Sequence, residues 1–220
     1  MIGDIFHVFN RGVEKRKIFL DDQDYFRFVN NLFLLNNKFG KIRTTKANIF
    51  NQPDLKRQKL VEILKWSLLP NHYHLLLYEI EEGGALEFTK RLGNAYTKYF
   101  NIKNKKRSGY LFQNSAKIVS ITNDPHFLYI PFYIDLNPLD LKFADWKNKG
   151  IDNRKAIDFL KNYRWSSFNH YFMKNTINQI ENKQLFFHLF DTNEKNYEND
   201  IIDYLKGFHQ NSSTWQVDEF

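Results

Sequence analysis

The chain has 220 residues, 32 Lys and Arg against 25 Asp and Glu, a net charge of +7, and 42% hydrophobic and 17% aromatic residues. That apolar content excludes a disordered or low-complexity chain and suffices for one domain with a core. With no cysteine, a disulfide framework, a thiolate zinc site, an iron–sulfur cluster and a cysteine nucleophile are excluded, and any metal must sit on His, carboxylate or amide groups. No apolar run approaches the roughly 18 residues of a membrane span, and MIGDIFHVFNRG lacks the basic-then-apolar layout of a signal peptide. A soluble cytoplasmic protein is expected.

In chain order, alternation over Ile5 to Asn10 predicts a strand that stops at Arg11-Gly12. Asp21-Asp22 offers an N-cap to a helix whose apolar positions, Tyr25, Phe26, Val29, Leu32 and Phe33, are followed by Asn36 at helical spacing until Gly40. Residues 41–59, polar and basic with Pro53, read as a loop or irregular insertion. Strand signals over Val61–Leu68 and His72–Ile80, joined at Pro70-Asn71, predict a β-hairpin. Gly83-Gly84 ends it, and Ala85, Phe88, Leu92, Tyr96 and Tyr99 mark a second helix reaching about Lys103. A strand is expected over Tyr110–Ile121, and then a helix in DPHFLYIPFYIDLNP capped by Asn123 or Asp124, with Pro131 expected to kink it or start a fresh turn. A short helix is expected at 153–162. Strand, helix, two strands, helix, strand, helix, with antiparallel strands and helices on one face, is an α+β arrangement of ferredoxin-like type. Residues 172–220 read as a separate helical C-terminal extension.

Charge divides at the same place. Residues 172–220 carry 4 basic and 8 acidic residues, leaving the first 171 with 28 against 17. Between Phe88 and Asn123 there is no acid at all, while Lys90, Arg91, Lys98, Lys103, Lys105, Lys106, Arg107 and Lys117 alternate with Tyr96, Tyr99, Phe100, Tyr110 and Phe112. Lysines neutralise phosphates and aromatics stack on bases, so this run is a candidate nucleic-acid grip as well as an ordinary solvated basic face.

Two stretches carry chemistry. In LPNHYHLLL, His72 and His74 are two apart on a strand, so both imidazoles leave one face while Tyr73 points to the other. That is the start of a divalent-metal site, although such pairs also occur as packed or surface residues. In the third helical segment Tyr129, Tyr133 and Asn137 are spaced by four and share a face. A phenol beside a divalent metal is suited to attack a phosphodiester, but tyrosines on an apolar helix also serve simply as core, and spacing does not choose between Tyr129 and Tyr133.

Several blocks occur together: HVFNRG at 7–12, Ile18-Phe19 and Asp22, LPNHYHLLL at 69–77, RSGYLFQ at 107–113, YIDLNP at 133–138, and Trp165-Ser166-Ser167-Phe168 with His170-Tyr171. In this order, over about residues 3–171, they resemble the IS200-like single-tyrosine transposases, in particular the REP-associated tyrosine transposases. The resemblance implies an HUH endonuclease domain over residues 1–171 on a ferredoxin-like fold. It makes His72 and His74 the metal-binding pair, Tyr133 the catalytic nucleophile and Asn137 the amide that completes a Mg²⁺ or Mn²⁺ site. It further implies cleavage of single-stranded DNA near hairpins through a 5′-phosphotyrosine and rejoining by a 3′-OH. Arg11 and the basic residues at 90–107 are the candidates for gripping the DNA. Relatives exchange the tyrosine helix between protomers, so a homodimer is one arrangement the resemblance allows. A hairpin-binding protein that does not cut, and an RNA-binding module with exposed aromatics on its sheet, are the alternatives. His7 opens the first block, but its position on a strand gives it no role.

Overall fold

The computed structural model describes residues 1–40, 58–104, 108–121, 124–172 and 180–207. Nearly all of the 41–59 insertion, the Asn123 cap, and Lys105, Lys106 and Arg107 lie outside the described residues. The strands are β1 (Ile5–Arg11), β2 (Val61–Leu69), β3 (His72–Glu79) and β4 (Lys117–Ser120). Helices α1 (Asp22–Leu34), α2 (Gly84–Lys103) and α3 (Asp124–Leu136) follow β1, β3 and β4 respectively. The sheet has the order β2-β3-β1-β4, and every neighbouring pair is antiparallel. This is the α+β, ferredoxin-like sheet with packed helices that the sequence pattern predicts.

Local chemistry accounts for the boundaries. Asp21 caps α1 by accepting the Asp24 N–H. The helix ends at Leu34 rather than near Gly40 because Asn36 is not on a helix face. Its buried amide accepts from the backbone of Leu60 and Val61 and donates to the Val61 carbonyl, docking the chain on β2. The strand expected over 110–121 is reduced to four residues. Gln113 N–H instead bonds the Arg11 carbonyl and Phe112 bridges Gly12, so 108–116 wraps the end of β1 before pairing begins. Gly12 is required there by close approach, since a Cβ would lie 2.3 Å from the Arg16 carbonyl oxygen. α3 runs through Pro131 without a break.

Helices pack on both faces of the sheet, not on one as the strand and helix order suggests. α1 and α2 cover the face of Val8, Tyr73, Leu75 and Leu77. The other face, with Ile5, Leu64 and Leu76, is covered by α3 and by later helices: α5 (Asn153–Asn162, as expected), α6 (Phe168–Phe172), α7 (Lys183–Leu189) and α8 (Glu194–Gly207), with the short α4 (Trp146–Lys149) beside them. Phe186, Tyr197, Ile201 and Leu205 from α7 and α8 share one core with Ile130 and Ile134 of α3. The outer edge of β2 is closed by the chain at 165–167 and 181–182, through bonds such as Leu68 N–H to the Trp165 carbonyl and Asn182 N–H to the Ile63 carbonyl. Among the described residues, no helix is long and apolar enough to cross a membrane.

A bulge in β2 between Ile63 and Lys65 changes which side chains face α3. It inserts one residue, so Lys65 rather than its strand alternate sits opposite Leu76 and enters the second core. There Lys65 Nζ lies 2.7 Å from Asp135 Oδ2 of α3, both side chains fully buried. The same oxygen accepts from Tyr197 Oη of α8 at 2.8 Å. The ammonium sits over the rings of Tyr171, Tyr197 and Phe186, 3.5, 4.2 and 4.6 Å from their centres. Burial pulls the Lys65 ammonium down to about 8 despite Asp135, and pushes the Asp135 carboxyl up despite Lys65. Removing one partner leaves the other charge stranded, so Lys65→Met is expected to destabilise by about 3–5 kcal/mol. Tyr197→Phe, which deletes one bond to a charged acceptor, is expected to cost about 1.5–3 kcal/mol. Denaturant unfolding of the full chain measures both.

Candidate active site

Strand alternation puts His7, Phe9 and Arg11 of β1 on the face of His72 and His74, all on the α3 side. Tyr73 points to the other core, fully buried with Phe28 and Phe112 around it. The end of the hairpin is pinned from outside: Gly12 N–H bonds the Asn71 carbonyl, and the N–H groups of Ile18 and Phe19 both bond the Pro70 carbonyl. That fixes Asn71, whose side-chain oxygen lies 2.7 Å from His72 Nδ1. The other nitrogen of His72, Nε2, lies 3.1 Å from Asn137 Oδ1 at the start of the 3₁₀ turn after α3. His74 is fully buried; its ring is perpendicular to that of His72 at 5.1 Å and its Nδ1 lies 2.9 Å from His7 Nε2.

α3 delivers the phenol. The Tyr133 ring stands edge-on to His74 at 5.2 Å and to His7 at 5.9 Å. Tyr129, one turn earlier, packs on Tyr133 and on Tyr204 of α8, each at 5.8 Å between ring centres. The Tyr133 ring thus contacts the histidines, and His72, His74, Asn137 and Tyr133 meet in one place. Two participants were given no role by the sequence reading. His7 is one, because strand periodicity gives its face but not its cross-strand neighbour. Asn71 is the other, as a turn residue whose side chain could equally have capped the turn.

The electrostatics are those of imidazoles kept neutral by burial, with Arg11 and a Lys147–Asp140 pair nearby. Burial pulls the His72 imidazole down to about 4, with the Arg11 charge in the same direction and the Asn137 contact opposing. Burial likewise holds His74 well below the ordinary imidazole range, helped by His7 and His72, with a smaller push from Lys147. Lys147, at the start of α4, lines a shallow cleft with Tyr129, Tyr133, Asn137, Trp146 and Tyr204. Lys117 lies over the Phe9 ring on the same sheet face, 5.7 Å from its centre.

A neutral imidazole carries one N–H, so His72 cannot donate to both of its amide oxygens. With the proton on Nδ1, donated to Asn71 in the shorter contact, Nε2 keeps its lone pair on the Asn137 side. Either a cation accepts both this pair and that of Asn137 Oδ1 or the Asn137 amide turns over to donate. The 3.1 Å separation is close to the roughly 3.0 Å between two ligands at adjacent corners of an octahedron with bonds of about 2.1 Å, so the donor pair fits Mg²⁺ or Mn²⁺. His72, His74 and Asn137 are the residues that would hold it. Among the described residues no cluster of three His, Cys, Asp or Glu is placed to bind a metal, and the third donor here is an amide.

The basic residues separate into two groups. Lys90 and Lys98 are exposed on α2 and line a groove of about 870 Å³ with Asn94, Tyr110, Gln113 and Asn114, on the α1–α2 side of the sheet. Arg91 and Lys103 are engaged within the fold. Arg91 donates to Glu87 and to the Asn37 carbonyl, both at 2.6 Å. Lys103 donates to Asp21 and Asp24, both at 2.7 Å, and these bonds outweigh its partial burial and raise its ammonium. Arg11 ends β1 directly across from His72.

No family profile matches the chain, and no curated protein matches it. Among solved structures the chain resembles a REP-associated tyrosine transposase bound to a REP hairpin, with a TM-score of 0.45 and 14% identity, over 83% of this chain and 87% of that one.

The neutral imidazoles make stability fall in acid. The unfolded chain protonates His72 near 6.5, whereas the folded one does so only near 4, so the unfolded state binds more protons between these values. Stability is then complete above about 6.5 and declines until about 4. The denaturation midpoint is expected to fall between pH 7 and pH 5, and His72→Gln to flatten that fall.

Proposed function

We propose that the chain is a metal-dependent endonuclease and strand transferase that acts, in the cytoplasm, on single-stranded DNA carrying hairpins. The observation that carries this reading is the convergence of His72 Nε2, 3.1 Å from Asn137 Oδ1, with the rings of His74 and Tyr133. Support also comes from the sequence blocks: Arg11-Gly12, Ile18-Phe19, Pro70-Asn71 and Leu111–Gln113 are bonded to one another around the histidines. An RNA-binding module reading through aromatics on an open sheet is disfavoured, because helices pack on both faces and the His72–His74 face carries imidazoles.

In this reaction the Tyr133 oxygen attacks the scissile phosphorus. A Tyr–O–P bond forms, the bond from phosphorus to the 3′ oxygen breaks, the phenolic proton is lost to solvent and the 3′ oxygen gains one. The phosphodiester energy is kept in the 5′-phosphotyrosine, so a 3′-OH can reverse the step and join a strand. A bound Mg²⁺ or Mn²⁺ would supply charge stabilisation at the phosphate oxygens. Arg11 and Lys147 attract the phosphate and orient it, while His72, His74 and Asn137 present unprotonated donors. Lys90 and Lys98, with Tyr110, are the backbone grip and stacking surface on the opposite side of the sheet. Arg91 and Lys103 contribute through the fold, by fixing the ends of α1.

The test is incubation of the full chain with labelled hairpin-bearing single strands and Mn²⁺, followed by denaturing electrophoresis. Wild type and Tyr129→Phe are expected to form a covalent protein–DNA adduct and Tyr133→Phe none. An adduct undiminished in Tyr133→Phe removes the nucleophile, and hairpin binding without any wild-type adduct makes the chain a binder that does not cut. Lys90→Ala with Lys98→Ala is expected to weaken DNA binding and reduce the slope of log affinity against log salt by about 1–2.

A further inference from the structure

We infer that His7 is a positioning residue which holds His74 in the tautomer whose Nε2 keeps its lone pair for a ligand. The inference rests on the metal-dependent reading of the site and adds a residue that reading does not assign.

His7 is 3% exposed in the middle of a strand whose other buried positions are Ile5, Val8 and Asn10. Its cross-strand partner is Leu76, and that of His74 is Phe9, so the two histidines are diagonal neighbours on one face. Their rings are nearly parallel, 16° apart with centres 5.2 Å apart, and His7 Nε2 meets His74 Nδ1 at 2.9 Å. A buried imidazole in place of an aliphatic side chain carries a desolvation cost that only a hydrogen bond offsets.

In that bond one ring must donate and the other accept. If His7 donates, His74 accepts at Nδ1, carries its own proton at Nε2 and has no lone pair to offer there. If His7 accepts at Nε2, its own proton lies at Nδ1, His74 carries its proton at Nδ1, and His74 Nε2 keeps its lone pair. Only the second arrangement makes His74 equivalent to His72, whose Nδ1 proton is held by Asn71. Each histidine of the pair then has one partner that fixes its proton, an amide oxygen for one and an imidazole for the other. Ligating histidines are commonly oriented by such partners, and losing them lowers metal affinity by about 10–100-fold. The Tyr133 ring lies against His7 as well as His74, so the same side chain also limits how far the phenol can turn.

Two measurements on the full chain decide this. Long-range ¹H–¹⁵N spectra of the metal-free wild type are expected to show His74 protonated at Nδ1, and a wild-type His74 protonated at Nε2 overturns the inference without any variant. Mn²⁺ titration followed by the paramagnetic signal of the free ion is expected to show affinity lowered about 10–100-fold in His7→Phe and restored to within a few-fold in His7→Gln, whose carbonyl can accept. Hairpin binding is expected to be unchanged in both. A His7→Phe protein that binds Mn²⁺ as tightly as wild type overturns the inference. If wild type binds no Mn²⁺ at all, the metal-dependent reading fails, and the His74 tautomer still decides the role of His7.

Discussion

The position of α3 depends on a charge pair buried where a hydrophobic contact would ordinarily be found. Apolar packing alone is non-directional, and a helix as apolar as α3 could slide or rotate on the sheet at little cost. The Lys65–Asp135 pair, with Tyr197 on the same carboxylate oxygen, has one geometry that satisfies it. Its free energy is not an argument for stability, since burying two charges costs about as much as their attraction returns. Its consequence is register. Asp135 lies two residues from both Tyr133 and Asn137, about 200° around the helix from each, so anchoring it to β2 turns those two toward the histidines on β1 and β3.

The bulge in β2 and the C-terminal helices belong to the same device. Without the extra residue Lys65 would face α1 and α2, and without α7 and α8 it would lack Phe186 and Tyr197 around its ammonium. A region that differs from the rest in charge and composition thus helps to set the angle of the tyrosine helix. The site this arrangement supports has no carboxylate among its donors and is flanked by Arg11 and by Lys147 paired with Asp140. In the proposed reaction, neutral donors would leave most of the compensation of a bound cation's charge to the substrate's phosphate, which would couple occupancy of the site to the presence of DNA.

The sequence was most legible where the signal is local. The Asp21 cap, the hairpin at Pro70-Asn71, the opposite facing of Tyr73 and the two histidines, and the span of α5 all follow from period and turn chemistry. What was not legible depends on pairing between distant segments. Lys65 reads as the polar alternate of a strand because a bulge has no reliable single-sequence signal. Asn36 continues a helical spacing that its bonds to β2 interrupt. Arg91 and Lys103 count as free cations in an acid-free run, yet their acidic and carbonyl partners lie in α1, the turn after it, or one helical turn away. His7 is silent for the same reason: its face follows from alternation, its neighbour only from the register of β1 against β3.

That register also connects the two surfaces the proposed reaction would use. The groove beside α2 and the histidine site lie on opposite faces of the sheet, and consecutive residues at the end of β1 turn to each. Asn10 lines the groove, donating to the Asn114 carbonyl at 3.0 Å, while Arg11 stands across from His72. In the proposed reaction a strand gripped at Lys90 and Lys98 would reach Tyr133 by passing around this end, where Gly12, Asn71 and the 108–113 segment are bonded together. The sheet and its side chains are about 10 Å thick, so the path needs several unpaired nucleotides and cannot be followed by rigid duplex. On the proposed function, the end of the first strand would therefore divide one substrate into a gripped part and a flexible, cleaved part.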